Sequence, residues 1–374
     1  MKEEKLLSAD KAASDIFLPG GHAPRIGEIH RQPRLAATLR LIAKEGRDGF
    51  YKGPVASDIV DHLRSLGGLH SLEDFASAHG EYVTPVTTTF RGHTIHECPP
   101  NGQGIIALLI LNILSHFDGQ YENASPDRLH LEIEATRLAY AARDAWLADP
   151  GKADVPVEEM LSHGFAAQLA GSIDLRQART DLPNFEMPLH RDTVYISVVD
   201  EERNAVSFIN SIFDCFGSGI VAPNSGVVLH NRGQSFSLEP WHPNVVAPGK
   251  RPLHTIIPGM VTSNGRTDMS FGVMGGYYQA MGHAHLISKI LEYDLDMQDA
   301  IDMPRLVPLD GKIPRVEAEH TLPAETVAEL ARRGFEMIPL GDPIGGAQII
   351  RIDWENGTLI GASESRKDGM ALGL

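Results

Sequence analysis

Two hydroxyl-bearing residues, Thr193 and Ser211, lie at the open end of a hairpin-like stretch, HRDTVYISVVDEERNAVSFINSIFDCFGSGIVAP, which runs from His190 to Pro223. The polar run Asp200–Asn204 supplies the turn between two strand-like segments. With Val199 facing Ala205, each step back along one strand matches a step forward along the other, and Thr193 falls opposite Ser211. Directly opposed side chains of an antiparallel pair are neighbours, so Ser211 can hydrogen-bond groups on Thr193. A hydroxyl of this kind becomes a nucleophile only when a base takes its proton. Threonine is also a favoured strand residue and Thr–Ser pairs are ordinary in sheets, so the hairpin alone leaves a purely structural role open.

Other chemistry-bearing residues give weaker signals. His283 and His285 are two apart on an expected helix, point to different faces and make a poor metal pair. His190, just before the threonine, reads as a loop histidine. The segment Pro100–Gly104 (PNGQG) lacks the spacing and the Lys-Ser/Thr of a phosphate-binding loop. Cys98 and Cys215 allow at most one bridge, show no metal or redox spacing and read as free thiols. No metal site or cofactor is expected.

The elements that must position these residues follow from periodicity. Residues 1–33 read as an irregular arm, followed by two helices within 32–66 separated by GRDGFYKGP. Ser71 and Asp74 mark a helix start, and 83–98 reads as two strands hinged on Arg91–Gly92. The apolar run 104–114 is a buried helix, too short to span a membrane, and 127–148 is a helix with one apolar side ending at Asp149–Pro150. Residues 160–181 read as helix and 182–190 as a linker. Strands are expected at 194–199, 205–212, 226–229 and 267–273, a helix at 279–293, and strands again at 347–352 and 359–362.

With 33 Lys+Arg against 49 Asp+Glu among 374 residues, the formal charge is -16, which argues against nucleic acid or another polyanion as partner. Hydrophobic residues at 42% and charged residues at 22% indicate a globular chain with a real core and no membrane span. The opening MKEEKLLSADKAASDIF lacks the apolar centre of a secretory signal, so the chain as written reads as cytoplasmic, and as periplasmic if an upstream signal precedes it.

The runs TVYISVVDEERNAVSF, FGSGIVAPNSGVVLHNRG, APGKRPLHTIIPGMV, FGVMGGYYQAMGH and GASESRKDGMALGL, in this order, resemble the gamma-glutamyltransferase (glutathione hydrolase) family of N-terminal-nucleophile hydrolases. FLPGGHAPRIGEIHRQPRLAATLRLIAKEGRDGFYKG and CPPNGQGIIALLILNIL are similar to its large-subunit segments. The resemblance implies an α+β fold, the Ntn-hydrolase four-layer αββα sandwich. It also implies self-cleavage between Asp192 and Thr193 into a large-subunit portion, 1–192, and a small-subunit portion, 193–374. Compared with the family, the first portion lacks a leading part, which includes an arginine that holds the substrate's α-carboxylate, so the sandwich is expected to be incomplete.

Cleavage would give Thr193 its own α-amino group, whose reference pKa of about 7.7–8.0 leaves a fraction neutral at pH 7 to accept the hydroxyl proton. By position, Gly275 and Gly276 resemble the family's paired backbone donors for the developing oxyanion. The fragments would stay associated, and a homodimer fits the same reading.

The sequence departs from the glutathione pattern where the family binds the substrate's α-ammonium. Here HNRGQSFSL places Arg232, Gln234 and Ser235, a cation where an acid is usual. An arginine suits a carboxylate, which it can hold by two parallel bonds. Phe213 replaces a polar residue two after Ser211, and His254–Thr255 replaces a serine pair. These features are similar to the oxamate amidohydrolase-like branch, and imply a small carboxylate-bearing amide as substrate. The rivals are a true glutathione hydrolase or transpeptidase and, from another class, an unprocessed non-catalytic fragment.

Overall fold

A computed structural model describes residues 3–117, 119, 121–183, 193–309 and 311–373. His190, Asp192 and most of the expected linker lie outside the described residues. The chain forms two compact units, one of 1–82 with 212–232 and one of 83–211 with 233–374. This division follows contacts; the expected large- and small-subunit portions follow a peptide bond, and the two partitions differ.

The smaller unit is helical: α1 (Glu4–Ala9), α2 (Lys11–Phe17), α3 (Pro33–Glu45), α4 (Asp48–Tyr51), α5 (Gly53–Ser65) and α6 (Leu72–Ser77). The expected irregular arm is therefore partly helical. Asp10 caps α2 through the Ala13 N–H at 2.8 Å, and Leu7, Ala12, Ala13 and Leu18 pack with Val221. Tertiary burial of this kind holds helices too short to persist alone. α4 interrupts the expected loop between α3 and α5, while Ser71 and Asp74 mark the expected helix start, forming a capping box on α6. The expected strand 226–229 contributes only a bridge between Val221 and Val228, because the Asp58 carboxylate holds the 224–225 turn through the Asn224 and Ser225 N–H groups at 3.1 and 2.7 Å.

The larger unit is built on an antiparallel six-stranded sheet. Its strands are β1 (Val86–Phe90), β2 (His93–Glu97), β5 (Gly259–Ser263), β6 (Arg266–Met274), β10 (Gly346–Asp353) and β11 (Thr358–Ser363), in that spatial order. β3 (Val194–Val199) and β4 (Ala205–Asn210) form a ribbon, and β7 (Leu306–Pro308), β8 (Arg315–Ala318) and β9 (Glu336–Pro339) a small sheet. Strand β5 and the small sheet carry too little alternation to stand out in the sequence. Helices are α7 (Gly104–Leu114), α8 (Pro126–Trp146), α9 (Val157–Met160), α10 (His163–Gly171), α11 (Gln279–Leu291), α12 (Met297–Asp302) and α13 (Ala324–Arg332). The α+β class holds, and among the described residues no helix is long and apolar enough to cross a membrane.

Two helix expectations are corrected. The expected 160–181 helix is two short helices that stop at Gly171, and beyond them Ala178 N–H reaches the Arg333 carbonyl at 2.7 Å instead of continuing a helical ladder. α8 ends at Trp146 and has no polar face: Arg128, Glu132, Glu134, Arg137 and Arg143 are all buried. Pairing makes this tolerable, since Glu132 meets Arg128, Lys289 and His285 at 2.9, 2.7 and 2.9 Å.

The ribbon has the register the turn implied, Val199 with Ala205 through Val194 with Asn210. One face lies on the large sheet through hydroxyls. Ser197 Oγ donates to Ser270 Oγ at 2.8 Å, Tyr195 and Ser207 hydroxyls are 2.7 Å apart, and Ser207 Oγ donates to the Phe271 carbonyl at 3.2 Å. Gly272 makes room for the Tyr195 ring, since a Cβ there would stand 2.3 Å from it. Tyr195 over Gly272 and Ser197 over Ser270 mean that β3 crosses β6 in opposite directions. Two residues further, Thr193 is carried toward Met274, the last residue of β6. On the ribbon's other face Val194, Ile196, Val198, Val206 and Phe208 are exposed.

Filling the Gly272 space tests this stacking. In the uncleaved chain Gly272→Ala is expected to lower the urea-unfolding free energy by about 1–3 kcal/mol, the usual cost of overpacking. A loss below about 0.5 kcal/mol would mean that the ribbon is not seated on β6 as described.

Candidate active site

Thr193 is nearly buried, and its Oγ1 donates to Ser211 Oγ at 3.4 Å, a long contact that brings the two hydroxyls together as the register required. Past Met274, β6 turns sharply. Gly275 (φ 133°) and Gly276 (φ 58°) both have backbone angles that L side chains avoid. The chain then winds through a single 3-10 turn, Gly276–Tyr278, into α11.

The end of β6 is gripped from the α11 side. Val273 N–H donates to His283 Nε2 at 3.1 Å, and His283 Nδ1 lies 2.7 Å from Glu97 Oε1. A backbone donor at Nε2 and a carboxylate at Nδ1 place the ring proton on Nδ1. Burial pushes the Glu97 carboxyl above its ordinary range, with His283 pulling the other way. His285 faces Glu132 instead, so the two histidines point apart as expected, and among the described residues no metal-binding cluster exists. Cys98 and Cys215 are not joined in a disulfide.

The segment Pro252–Ile257, which carries His254 and Thr255, is held by amide side chains at four of its six residues. Asn101 Nδ2 donates to the Pro252 carbonyl at 2.6 Å, and the Asn101 backbone carbonyl accepts from His254 N–H at 2.9 Å. Asn244 takes Leu253 N–H at 3.1 Å and donates to the Ser235 carbonyl at 2.6 Å. Gln279 Oε1 accepts from Ile257 N–H at 3.2 Å. Gln103 Nε2 donates to the Thr255 and Gly276 carbonyls, both at 2.9 Å. None of these four amides stands out by residue type. The signal was their position inside the motifs PPNGQG, HPN and YYQAMGH, where an amide follows residues that stop regular structure.

Thr193, Ser211, Gln234, Ser235, His254, Thr255, Gly275 and Gly276 belong to the larger unit. Ser235 is buried and Gln234 exposed. Phe213 and Arg232 belong to the smaller unit, where the Arg232 guanidinium carbon lies 4.7 Å from the Phe213 ring centroid. Both are buried, and Phe213 holds φ 83°, costly for an aromatic residue. Asn231 closes the base of this excursion, taking Asp214 N–H at 3.1 Å through its side chain and donating its N–H to the Ile212 carbonyl at 3.2 Å.

A family model described as gamma-glutamyltranspeptidase matches residues 1–374. The glutathione hydrolase-like YwrD proenzyme of Bacillus subtilis is 38% identical, with 100% of this chain and 71% of that one covered. The oxamate amidohydrolase proenzyme of Klebsiella pneumoniae is 35% identical over 96% of this chain and 68% of its own. Among solved structures, the cephalosporin acylase from Bacillus halodurans superposes with a TM-score of 0.91 at 37% identity, covering 98% of this chain and 68% of that one.

The Glu97–His283 pair generates a pH test. A carboxyl whose folded pKa lies above its unfolded value of about 4.5 favours the fold fully below that value and loses the contribution as pH rises toward the raised value. Glu97→Gln keeps an acceptor for His283 but cannot ionise. Its urea-unfolding free energy is expected to fall less steeply than the wild type's from about pH 4 to pH 7. Parallel profiles would place the Glu97 carboxyl in the ordinary range.

Proposed function

The chain belongs to the gamma-glutamyltranspeptidase family, a family of N-terminal-nucleophile amidohydrolases and acyltransferases, and from that premise we propose that it is a threonine amidohydrolase made active by its own cleavage before Thr193. The observation that carries the reading is the placement of Thr193: in register with Ser211, almost buried, and carried along β3 toward the Met274–Gly275 turn. Its relatives in Bacillus subtilis and Klebsiella pneumoniae are named as proenzymes.

In the proposed reaction Thr193 Oγ1 attacks the amide carbon while the residue's freed α-amino group takes the hydroxyl proton and passes it to the departing nitrogen. Gly275 and Gly276 N–H groups stabilise the oxyanion, and each such donor is worth about 3–4 kcal/mol of barrier. Water then cleaves the Thr193 ester and releases the carboxylic acid. The two fragments stay together because one hydrophobic core draws on both, Ile105, Leu109 and Leu131 from one side of the break and Phe271, Ile287 and Ile349 from the other.

The substrate we propose is a small amide that bears a carboxylate. Arg232, its guanidinium carbon 4.7 Å from the Phe213 ring centroid, stands in the sequence where the family usually has an ammonium-binding acid, and a cation repels an ammonium. The similarity to an oxamate amidohydrolase supports the same choice. A gamma-glutamyl substrate is the second reading, favoured by the similarity to a glutathione hydrolase of Escherichia coli, 32% identical.

Thr193→Ala is expected to remain one chain and to hydrolyse neither oxamate nor gamma-glutamyl anilide; retained cleavage and turnover would exclude Thr193 as the nucleophile. Arg232→Gln is expected to raise KM for oxamate about 10- to 100-fold, the usual worth of a charged hydrogen-bonded contact. Release of anilide with no action on oxamate would decide for the second reading.

A further inference from the structure

Gln103 touches both halves of the chemistry assigned above. Its side-chain amide nitrogen is 2.9 Å from the Thr255 carbonyl and 2.9 Å from the Gly276 carbonyl. Two carbonyl oxygens can be met together only by an NH2 group, so the orientation of this amide is fixed by chemistry. The side chain is fully buried, and its backbone N–H donates to the His254 carbonyl at 2.9 Å. Gln103 is thereby tied to three points of the two segments, His254, Thr255 and Gly276.

We propose that Gln103 is the positioning residue that sets the Gly275–Gly276 turn relative to the His254–Thr255 segment, coupling oxyanion stabilisation to substrate seating. The role rests on the reading of Gly275 and Gly276 as oxyanion donors. A peptide plane pivots about its Cα–Cα axis, and holding the Gly276 carbonyl fixes where the N–H of the same plane, that of Tyr277, points and limits the rotation of the plane before it. Both glycines lack a side chain and sit at positive φ, so the turn leans on few contacts: its own bonds run from Tyr278 N–H to the Gly275 carbonyl at 3.1 Å and from Gln279 N–H to the Gly276 carbonyl. A grip from outside adds to them. On the β6 side His283 holds Val273 N–H, and on the far side Gln103 holds Gly276. Asn244 grips only the substrate-side segments, at Ser235 and Leu253, and does not reach the glycine turn in this way. The two amides should therefore separate kinetically: Gln103 governs the rate of the chemical step, and Asn244 the seating of substrate.

The test replaces Gln103 with methionine, of nearly the same shape and without donors. With oxamate and gamma-glutamyl anilide as probes, Gln103→Met is expected to lower kcat about 10- to 100-fold with KM within about threefold, the scale of a slight misplacement of catalytic groups. Asn244→Leu is expected to raise KM at least about threefold and to keep kcat within about threefold. Amide hydrogen exchange gives a readout that needs no activity: Gln103→Met is expected to lose protection at 254–257 and at 275–278 together. Unchanged exchange in both segments, or a Gln103→Met enzyme with wild-type kcat, overturns the proposal. If Gln103→Met fails to fold, Gln103→Glu, equally long and unable to donate to both carbonyls when ionised, is read by the same exchange measurement. A wild-type chain without Thr193-dependent turnover would sink the proposed function, while the exchange result still decides the role of Gln103.

Discussion

The seating of a two-stranded ribbon on the glycine of β6 is the constraint on which the remaining geometry depends. The Tyr195 ring fits there only because residue 272 has no side chain, and Ser197, Ser207 and Ser270 lock the crossing with hydroxyl bonds. Burial pushes the Tyr195 hydroxyl up to about 12, so it keeps its proton throughout the physiological range and remains both donor and acceptor. A ribbon packed by apolar contacts alone could slide, because the hydrophobic effect is non-directional; hydroxyl pairs specify one position. The end of β3 and the end of β6, and hence Thr193 and the glycine turn, are set by that choice.

Around this contact the larger unit invests in buried polar groups that are paired rather than excluded. Burial raises the Glu132 carboxyl, but Lys289, His285 and Arg128 outweigh it and hold the group well below the ordinary range. The charges fix α8 against α11, and α11 in turn carries His283 to the edge of β6. Such networks add little net stability over apolar packing, but removing one partner strands the others, which makes them devices of position. The amides Asn101, Gln103, Asn244 and Gln279 play the same part for an irregular segment that no ladder could hold.

Much of this was legible beforehand for identifiable reasons. The ribbon register followed from its turn, since Asp200 and Asn204 close it and period-two alternation leaves one pairing. The burial of α7 followed from an unbroken apolar run, and the opposed directions of His283 and His285 from helical spacing. The short helices α1 and α2 were not legible, because their stability comes from contact with Val221, over two hundred positions away. The same holds for the polar interior of α8, whose partners Lys289, His285 and Glu292 are remote in sequence. Among site residues, the Thr193–Ser211 pairing followed from the hairpin register and the glycine pair from the family resemblance, whereas Gln103 becomes visible only when Thr255 and Gly276 are seen side by side.

The central claim is that an interior threonine becomes a chain terminus, supplying attacking oxygen and proton acceptor from one residue. The most direct measurement is terminal sequencing with intact mass on material whose amidase activity has been quantified. The account predicts two fragments, the second beginning Thr193-Val194-Tyr195, in proportion to the activity. Full activity in a preparation whose chain is unbroken before Thr193 would contradict it.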